Sequence, residues 1–297
     1  MAVRIFSDST CDLGEELAKR YSVTIIPLCI IMGENSYFDG EGLGQKEIFR
    51  WSDENRTTPK TAAFTEERLE QAVRPALEAG DDCILFTIAS GMSSSYSLAR
   101  VFAGDEGKGH LHVIDSANLS TGIGLLVIKA AEMAGKGVDA LTIVKEIEAA
   151  IPRVRASFVI DTLTFLSRGG RCSSVTALLA GTLKLHPEIV VKNGAMGVEK
   201  KYRGSLEKAV MKYVRDLEPA LREAEADRVF ITHTVQDEDR EIVERVRDYL
   251  QSLGLFKEIL ETHAGGVVSS HCGPGTLGVL FVERNGDRKK AAGETSL

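Results

Sequence analysis

Three times in its first half this chain runs a short apolar segment of strand length into a turn built from hydroxyls and acids. Ile5-Phe6 ends in Ser7-Asp8-Ser9-Thr10, residues 83–88 end in Ala89-Ser90-Gly91-Met92-Ser93-Ser94-Ser95, and Val113-Ile114 ends in Asp115-Ser116. Helical patterns lie between them. Residues 65–77 repeat apolar side chains at Leu69, Val73 and Leu77, with Thr65 placed as an N-cap and Glu66 and Glu67 at the positive end of the helix. Residues 122–134 and 139–150 predict two more helices. Strands that alternate with helices join through crossovers, so the pattern predicts a parallel sheet covered on both faces. Residues 23–31 predict a longer strand, interrupted by Pro27.

Beyond Pro152 the pattern changes. Phe158-Val159-Ile160-Asp161-Thr162 predicts a strand, again ending in an acid and a hydroxyl, followed by a Gly169-Gly170 turn and a helix over residues 174–183. Ile189-Val190-Val191-Lys192 then meets Asn193-Gly194, a strong signal for a two-residue hairpin turn because both positions need positive φ. Residues 228–232 and 278–282 predict strands, and residues 238–250 a helix. Hairpins mixed with helices imply a second domain with a mixed sheet. The expected fold class is therefore α/β in two domains. Residues 1–155 form an N-terminal three-layer α/β/α domain with a parallel sheet, and residues 156–297 a C-terminal mixed α/β domain with a polar tail over residues 285–297.

Composition removes several function classes. Lys+Arg 36 against Asp+Glu 43 gives a net charge of −7, and without a long basic run this argues against a nucleic-acid partner. No stretch approaches the roughly 18 apolar residues of a spanning helix. Met1-Ala2-Val3-Arg4-Ile5-Phe6 runs into a polar turn with no signal-peptide pattern, so a cytoplasmic location is expected. Cys11, Cys29, Cys83, Cys172 and Cys272 are scattered without a C-x-x-C pair, which favours reduced thiols over disulfides or structural zinc. His233, His263 and His271 with Cys272 lack a zinc-ligand spacing, so no metal is expected. There is no P-loop motif, and Gly122-Ile123-Gly124 is too short for a dinucleotide fingerprint.

What remains is anion chemistry. In an open α/β sheet, ligands sit outside the carboxyl ends of the strands, where the acid-and-hydroxyl turns fall. The serine cluster also opens a helix, whose unpaired N–H groups favour an anion. Taken singly, Ser9, Ser90 and Ser95 are as readily caps or turn formers. Thr57-Thr58-Pro59-Lys60-Thr61 reads as a polar loop leading into a helix. His271-Cys272-Gly273-Pro274-Gly275 joins an imidazole to a rigid turn able to aim it. A serine hydrolase would use Ser93 as nucleophile, His271 as base and Asp115 or Asp161 as orienter. However, Gly91-Met92-Ser93-Ser94-Ser95 lacks the last glycine of a G-x-S-x-G elbow.

In this order the segments resemble the DegV family over roughly residues 3–283. The resemblance rests on Ser7-Asp8-Ser9-Thr10-Cys11-Asp12-Leu13, Phe38-Asp39-Gly40, Pro59-Lys60-Thr61, Ser90-Gly91-Met92-Ser93-Ser94 and Asp115-Ser116 with Gly122-x-Gly124. The second half adds Thr162-Leu163-x-Phe165-Leu166-x-Arg168-Gly169-Gly170-Arg171 and His271-x-Gly273-Pro274-Gly275. It implies a lipid-binding protein that holds one long-chain fatty acid between its domains and is not itself an enzyme. On the family pattern, Thr61, Ser93 with adjacent Ser94, and His271 form the network around the carboxylate. A separate fatty acid kinase subunit phosphorylates the bound acid to acyl-phosphate for phospholipid metabolism, and Arg171 and Arg203 match positions that meet the acyl-phosphate or the kinase. No catalytic residue, metal or cofactor is implied beyond the fatty acid as ligand, and lipid exchange calls only for peripheral membrane contact. The chemistry is coherent. A buried carboxylate needs its lone pairs satisfied, which hydroxyls and an imidazole can do, and each buried methylene adds about 0.8 kcal/mol.

The chain departs from the pattern at three places. Relatives usually follow the threonine with Ser-Gln-Pro-Ser, where Ala62-Ala63-Phe64-Thr65 stands here, and the bulky ring is expected to reshape the head-group end. Leu185-His186-Pro187 replaces a Lys-Pro, and Ser205-Leu206-Glu207 replaces basic residues after Arg203. Two other readings stay open. One is an enzyme in its own right, either a serine hydrolase or a dihydroxyacetone-kinase-like domain whose His271 captures a carbonyl substrate. The other is a binder of a different amphipathic anion.

Overall fold

Strands β1 (Val3–Asp8), β2 (Val23–Ile26), β3 (Cys29–Met32), β4 (Asn35–Phe38), β5 (Lys60–Ala62), β6 (Asp82–Thr87) and β7 (Leu111–Asp115) run through the first half. The structure, a computed structural model, describes residues 2–176 and 185–285. The parallel sheet expected of this half has the order β2-β1-β6-β7, with every pairing parallel. The chain leaves β1 outward to β2 and later leaves β6 outward to β7. Strand order therefore reverses between β1 and β6, the place at the carboxyl ends where open α/β sheets bind their ligands.

Residues 23–31 do not make one strand. Pro27 cannot donate to a ladder, and the chain breaks there: β2 ends in the parallel sheet and β3 begins a separate antiparallel sheet, β4-β3-β5. Its strand β5 takes up the end of the expected 57–61 loop and sets Thr61 opposite Ile30. The helix expected over residues 65–77 runs Glu66–Glu78, with the Thr65 hydroxyl accepting from Arg68 N at 3.2 Å. Asp139 likewise caps Ala140–Ala150.

The second half forms a mixed sheet from β8 (Val154–Val159), β9 (Leu185–Lys192), β10 (Ala195–Arg203), β11 (Arg228–His233), β12 (Glu258–His263) and β13 (Leu277–Val282). Its order is β10-β9-β8-β13-β11-β12, antiparallel except between β11 and β12. The Asn193-Gly194 turn joins β9 to β10 with positive φ at both residues. The strand expected at 158–162 begins and ends earlier. Val154 already pairs with Val282, and Asp161-Thr162 leave the ladder because Thr162 caps the helix Leu163–Gly169. Gly170 ends that helix at φ 69°, as the Gly169-Gly170 turn predicted. Of the helix expected over 174–183, Ser173–Thr176 is helical and residues 177–184 lie outside the described residues, as does the expected tail beyond residue 285.

The helix Thr121–Gly135 explains how the halves meet. Its residues 121–128 are all buried, as befits a helix apolar on every side. One apolar cluster joins Ile5, Ile84 and Phe86 of the first sheet through Ile123 and Ile128 of this helix to Phe158, Phe230 and Leu280 of the second. Among the described residues no helix is long and apolar enough to cross a membrane.

Candidate functional site

The acid-and-hydroxyl turns at the ends of β1 and β6 are spent mostly on architecture. Asp8 is buried and accepts from Thr10 N at 3.1 Å and Ile88 N at 2.8 Å, which ties the end of β1 to the end of β6. Burial pushes its carboxyl up to about 6 against those bonds. Asp12 accepts from Gly265 N at 2.8 Å and from the Ser120 hydroxyl at 2.5 Å. Asp39 accepts from Gly266 N at 2.7 Å and from the Ser9 hydroxyl at 2.8 Å. Two carboxylates from the first half thus cover the free N–H groups at the start of the helix Gly266–Cys272 in the second. Burial raises both, Asp12 well above the ordinary range.

That helix carries His271 in its last turn. The Gly-Pro-Gly segment after it is fixed as expected: Thr234 Oγ1 donates to Gly273 O at 2.6 Å and accepts from Thr276 N at 3.0 Å. Gly273 sits at φ +76° with its Cα against the Phe165 ring, so no larger residue fits. The imidazole Nε2 lies 2.8 Å from Thr61 Oγ1, brought there by β5. Nδ1 is buried without a partner, packed on Gly169, where a methyl group would strike it. This is a physical reason for glycine in Arg168-Gly169-Gly170-Arg171. Burial, and after it the charge of Arg171, pushes His271 down to about 4, so the ring is neutral at pH 7. A buried N–H without a partner is costlier than a bare lone pair. The favoured tautomer therefore carries its proton on Nε2 and donates to Thr61, whose own hydroxyl proton is left for a ligand.

Thr61, Ser93, Ser94, Arg171 and His271 line one cavity of about 110 Å³. The rest of its wall is mostly apolar, with Leu28, Ile88, Met92, Met196 and Val267 among the residues. Ser93 Oγ accepts from Ser95 N at 3.2 Å and lies 2.9 Å from Ser95 Oγ, while exposed Ser94 stands at the N-cap of the helix Ser95–Asp105. Arg171 donates to Gly169 O at 2.8 Å. Convergent hydroxyls, a neutral imidazole and a cation on an otherwise apolar cavity suit an anionic head on a hydrocarbon body.

Arg203 is different: it ends β10, is exposed and is not part of this lining. Phe64 also departs from expectation. Its ring is 1% exposed and packs in an apolar cluster with Ile30 and Leu69, so only Ala62 and Ala63 of that loop reach the cavity. Nor is a Ser–His–Asp relay assembled. Asp115 accepts from Ser90 N and Ala117 N, and Asp161 lies 3.3 Å from His186 Nδ1. Asp12 and Asp39 stand within the sequence motifs without a local sign of their task, and Gly169 shows there only as part of a turn. Their presence in those motifs was the available signal.

A second cluster, His233, Glu261 and His263 at the ends of β11 and β12, has metal-like spacing. The hydrogen bonds of His233 and Glu261 are already assigned. His233 Nδ1 accepts from Val235 N at 3.2 Å, so Nε2 holds the proton and faces Glu261 at 3.4 Å. Although burial works to raise it, Glu261 is held down at about 2 by bonds from Arg247, Arg240 and His233. A cation would meet two guanidinium groups and an imidazole nitrogen without a lone pair.

Comparison with known proteins agrees with this fold. The family described as "Uncharacterised protein, DegV family" matches residues 2–284. A DegV domain-containing protein of Deinococcus radiodurans is 31% identical over 282 residues, covering 95% of this chain and 98% of its own. One from Caldanaerobacter subterraneus is 30% identical over 284 residues, covering 95% and 99%. Among solved structures, a fatty-acid-binding DegV family protein of Thermus thermophilus superposes with a TM-score of 0.87 at 28% identity, covering 96% of this chain and all of its own. A stearic-acid-binding protein of Eubacterium ventriosum superposes at 0.81 with 25% identity, covering 95% and 98%. With its sheets, its ordered motifs and its matched length, the chain belongs to the DegV family.

Proposed function

We propose that this protein binds one long-chain fatty acid between its N-terminal part (residues 1–155) and its C-terminal part (residues 156–297), and presents the acid to a separate kinase. Thr61, Ser93, Ser94 and His271 hold the carboxylate, and the acyl chain lies along the apolar wall. The observation that carries this reading is the Thr61–His271 pair at 2.8 Å, with its spare donor capacity, on a cavity that is otherwise mostly apolar. Relatives with this fold bind fatty acids, stearic acid among them. The kinase transfers the γ-phosphoryl of ATP to a carboxylate oxygen and gives acyl-phosphate and ADP. Arg171, beside the head group, faces the new charge, and exposed Arg203 serves the kinase contact. In this reading the kinase supplies the catalytic groups and this protein holds the acid.

Organic-solvent extraction of the purified protein, followed by mass spectrometry, tests the ligand. A near-stoichiometric fatty acid is expected. No lipid, together with no uptake of added fatty acid, would overturn the reading and move other amphipathic anions ahead. The kinase step is tested separately by adding a fatty acid kinase subunit with ATP and trapping acyl-phosphate as the hydroxamate. No hydroxamate from a lipid-loaded protein would remove the partnership and leave the binding.

A further inference from the structure

Behind the cavity lies a second, smaller space of about 20 Å³, bordered by Ser120, Phe158, Thr232, Thr276, Gly278 and Leu280 among others. Leu119, Val268 and Cys272 line both spaces, so these three side chains form the partition between them. Val268 and Cys272 stand four residues apart on the helix Gly266–Cys272 and share a face of it.

The hydroxyls around the small space are already engaged. Ser120 donates to Asp12 at 2.5 Å, and Thr276 Oγ1 donates to Cys272 O at 3.0 Å. Thr232 Oγ1 lies 2.6 Å from Thr121 Oγ1 and 3.0 Å from Thr262 Oγ1. None of these three is left as a buried polar atom without a partner. A space of this size has room for about one water molecule, and water occupies such a space when polar groups there need it. Here that need is met within the protein, and what the space offers is carbon surface from Phe158, Leu280 and the partition itself.

We propose that Leu119, Val268 and Cys272 set the length of acyl chain this protein prefers, and that the small space is the extension gained when the partition is thinned. The proposal rests on the fatty-acid reading above and adds to it the residues that decide among fatty acids. Val268→Ala removes two methyl groups from the partition and joins the spaces, so preference should move to a longer chain. Each added methylene that becomes buried should raise affinity about fourfold, the factor equivalent to ~0.8 kcal/mol.

The test is competition among saturated fatty acids that differ by two carbons, on wild type, Val268→Ala and the double variant Val268→Ala/Leu280→Phe. The phenyl ring of the double variant refills the joined space from β13. A shift to longer acids in Val268→Ala that is reversed in the double variant supports the proposal. The same ranking of acids in all three proteins overturns it while leaving fatty-acid binding intact. If the wild type takes no fatty acid, the functional reading falls and this inference with it. Should Val268→Ala fail to fold, Cys272→Ala thins the same partition and is read in the same way.

Discussion

Among the described residues burial depresses two imidazoles to about 4, His233 at the end of β11 and His271 at the end of its short helix. By that measure they are twins. Their surroundings differ. His233 gives Nε2 to Glu261 and takes Val235 N on Nδ1, inside a network closed by Arg240 and Arg247. His271 pairs with Thr61 on one nitrogen, leaves the other bare and faces a cavity. A perturbed titration alone does not mark a binding site, because structural ion-pair networks perturb pKa as well. What separates the two is hydrogen-bonding capacity left unused beside empty space. The closed cluster should therefore matter for stability and the open one for ligand.

The sharpest way to break that division is Glu261→Leu. The carboxylate is 12% exposed and answers two guanidinium groups that are themselves 43% and 32% exposed, so removing it costs about 1.5–3 kcal/mol, the range of hydrogen bonds to charged groups. The urea midpoint should drop accordingly while the refolded protein keeps its fatty-acid affinity. A clear loss of affinity with little loss of stability would put function in the wrong cluster.

His271→Ala should do the reverse. Without the imidazole, the Thr61 hydroxyl loses the donor that leaves its own proton for the carboxylate, and losing that hydrogen bond to a charged group costs about 1.5–3 kcal/mol, or roughly 10- to 100-fold in the dissociation constant for fatty acid. Gly169→Ala should act in the same direction, because its methyl group displaces the ring without removing it. Isothermal titration of both variants checks this, and wild-type affinity in both would remove His271 from the head-group site.

Proton linkage sharpens the pair further. His271 titrates near 4 when folded and near 6.5 when unfolded. Between those values the unfolded chain holds the extra proton, so stability is full above pH 6.5 and falls as pH drops toward 4. His271→Gln should flatten the wild-type curve by something on the order of 3 kcal/mol across that window. His233→Gln should do the same. Saturating fatty acid distinguishes them: a carboxylate beside His271 raises its folded pKa and narrows its window, while that of His233 is untouched. Asp8, raised to about 6, slopes the other way, contributing stability below its ordinary range that is lost as pH rises through 6. Urea melts from pH 4 to 8 with and without ligand read all three slopes.

Much of this was legible in the chain. Alternating strands and helices announced the parallel sheet, and Asn193-Gly194 announced its hairpin, because each is a local rule with one physical cause. The breaks came where tertiary context decides. Pro27 looked like a flaw within one strand and is the boundary between two sheets. Residues 60–62 look like loop because they are short and polar, and become strand only because β3 is there to pair with them. Thr61, Ser93, Ser94, Arg171 and His271 are legible in the family motifs, whereas the tasks of Asp12 and Asp39 are not. A carboxylate that caps a helix more than 200 residues away leaves no local trace. The placing of Phe64 is hidden for the same reason, since sequence records a ring's size and not the side of the chain on which it packs.

The smallest effect is expected within the head-group loop itself, at Ser94. Ser93 holds Ser95 N and keeps its hydroxyl in a defined place, whereas Ser94 is exposed and its side chain caps nothing. An unfixed hydroxyl must be ordered before it can serve a ligand, and an exposed one exchanges with water at little net gain. Ser94→Ala should therefore weaken fatty-acid binding by no more than about threefold, and Ser93→Ala by clearly more, because it also releases the start of the helix Ser95–Asp105. Direct titration of the two variants against one fatty acid decides it. A larger loss at Ser94 than at Ser93 would mean that the carboxylate sits further toward the helix N-terminus than the Thr61–His271 pair implies, with backbone N–H groups taking over part of what is assigned here to the imidazole.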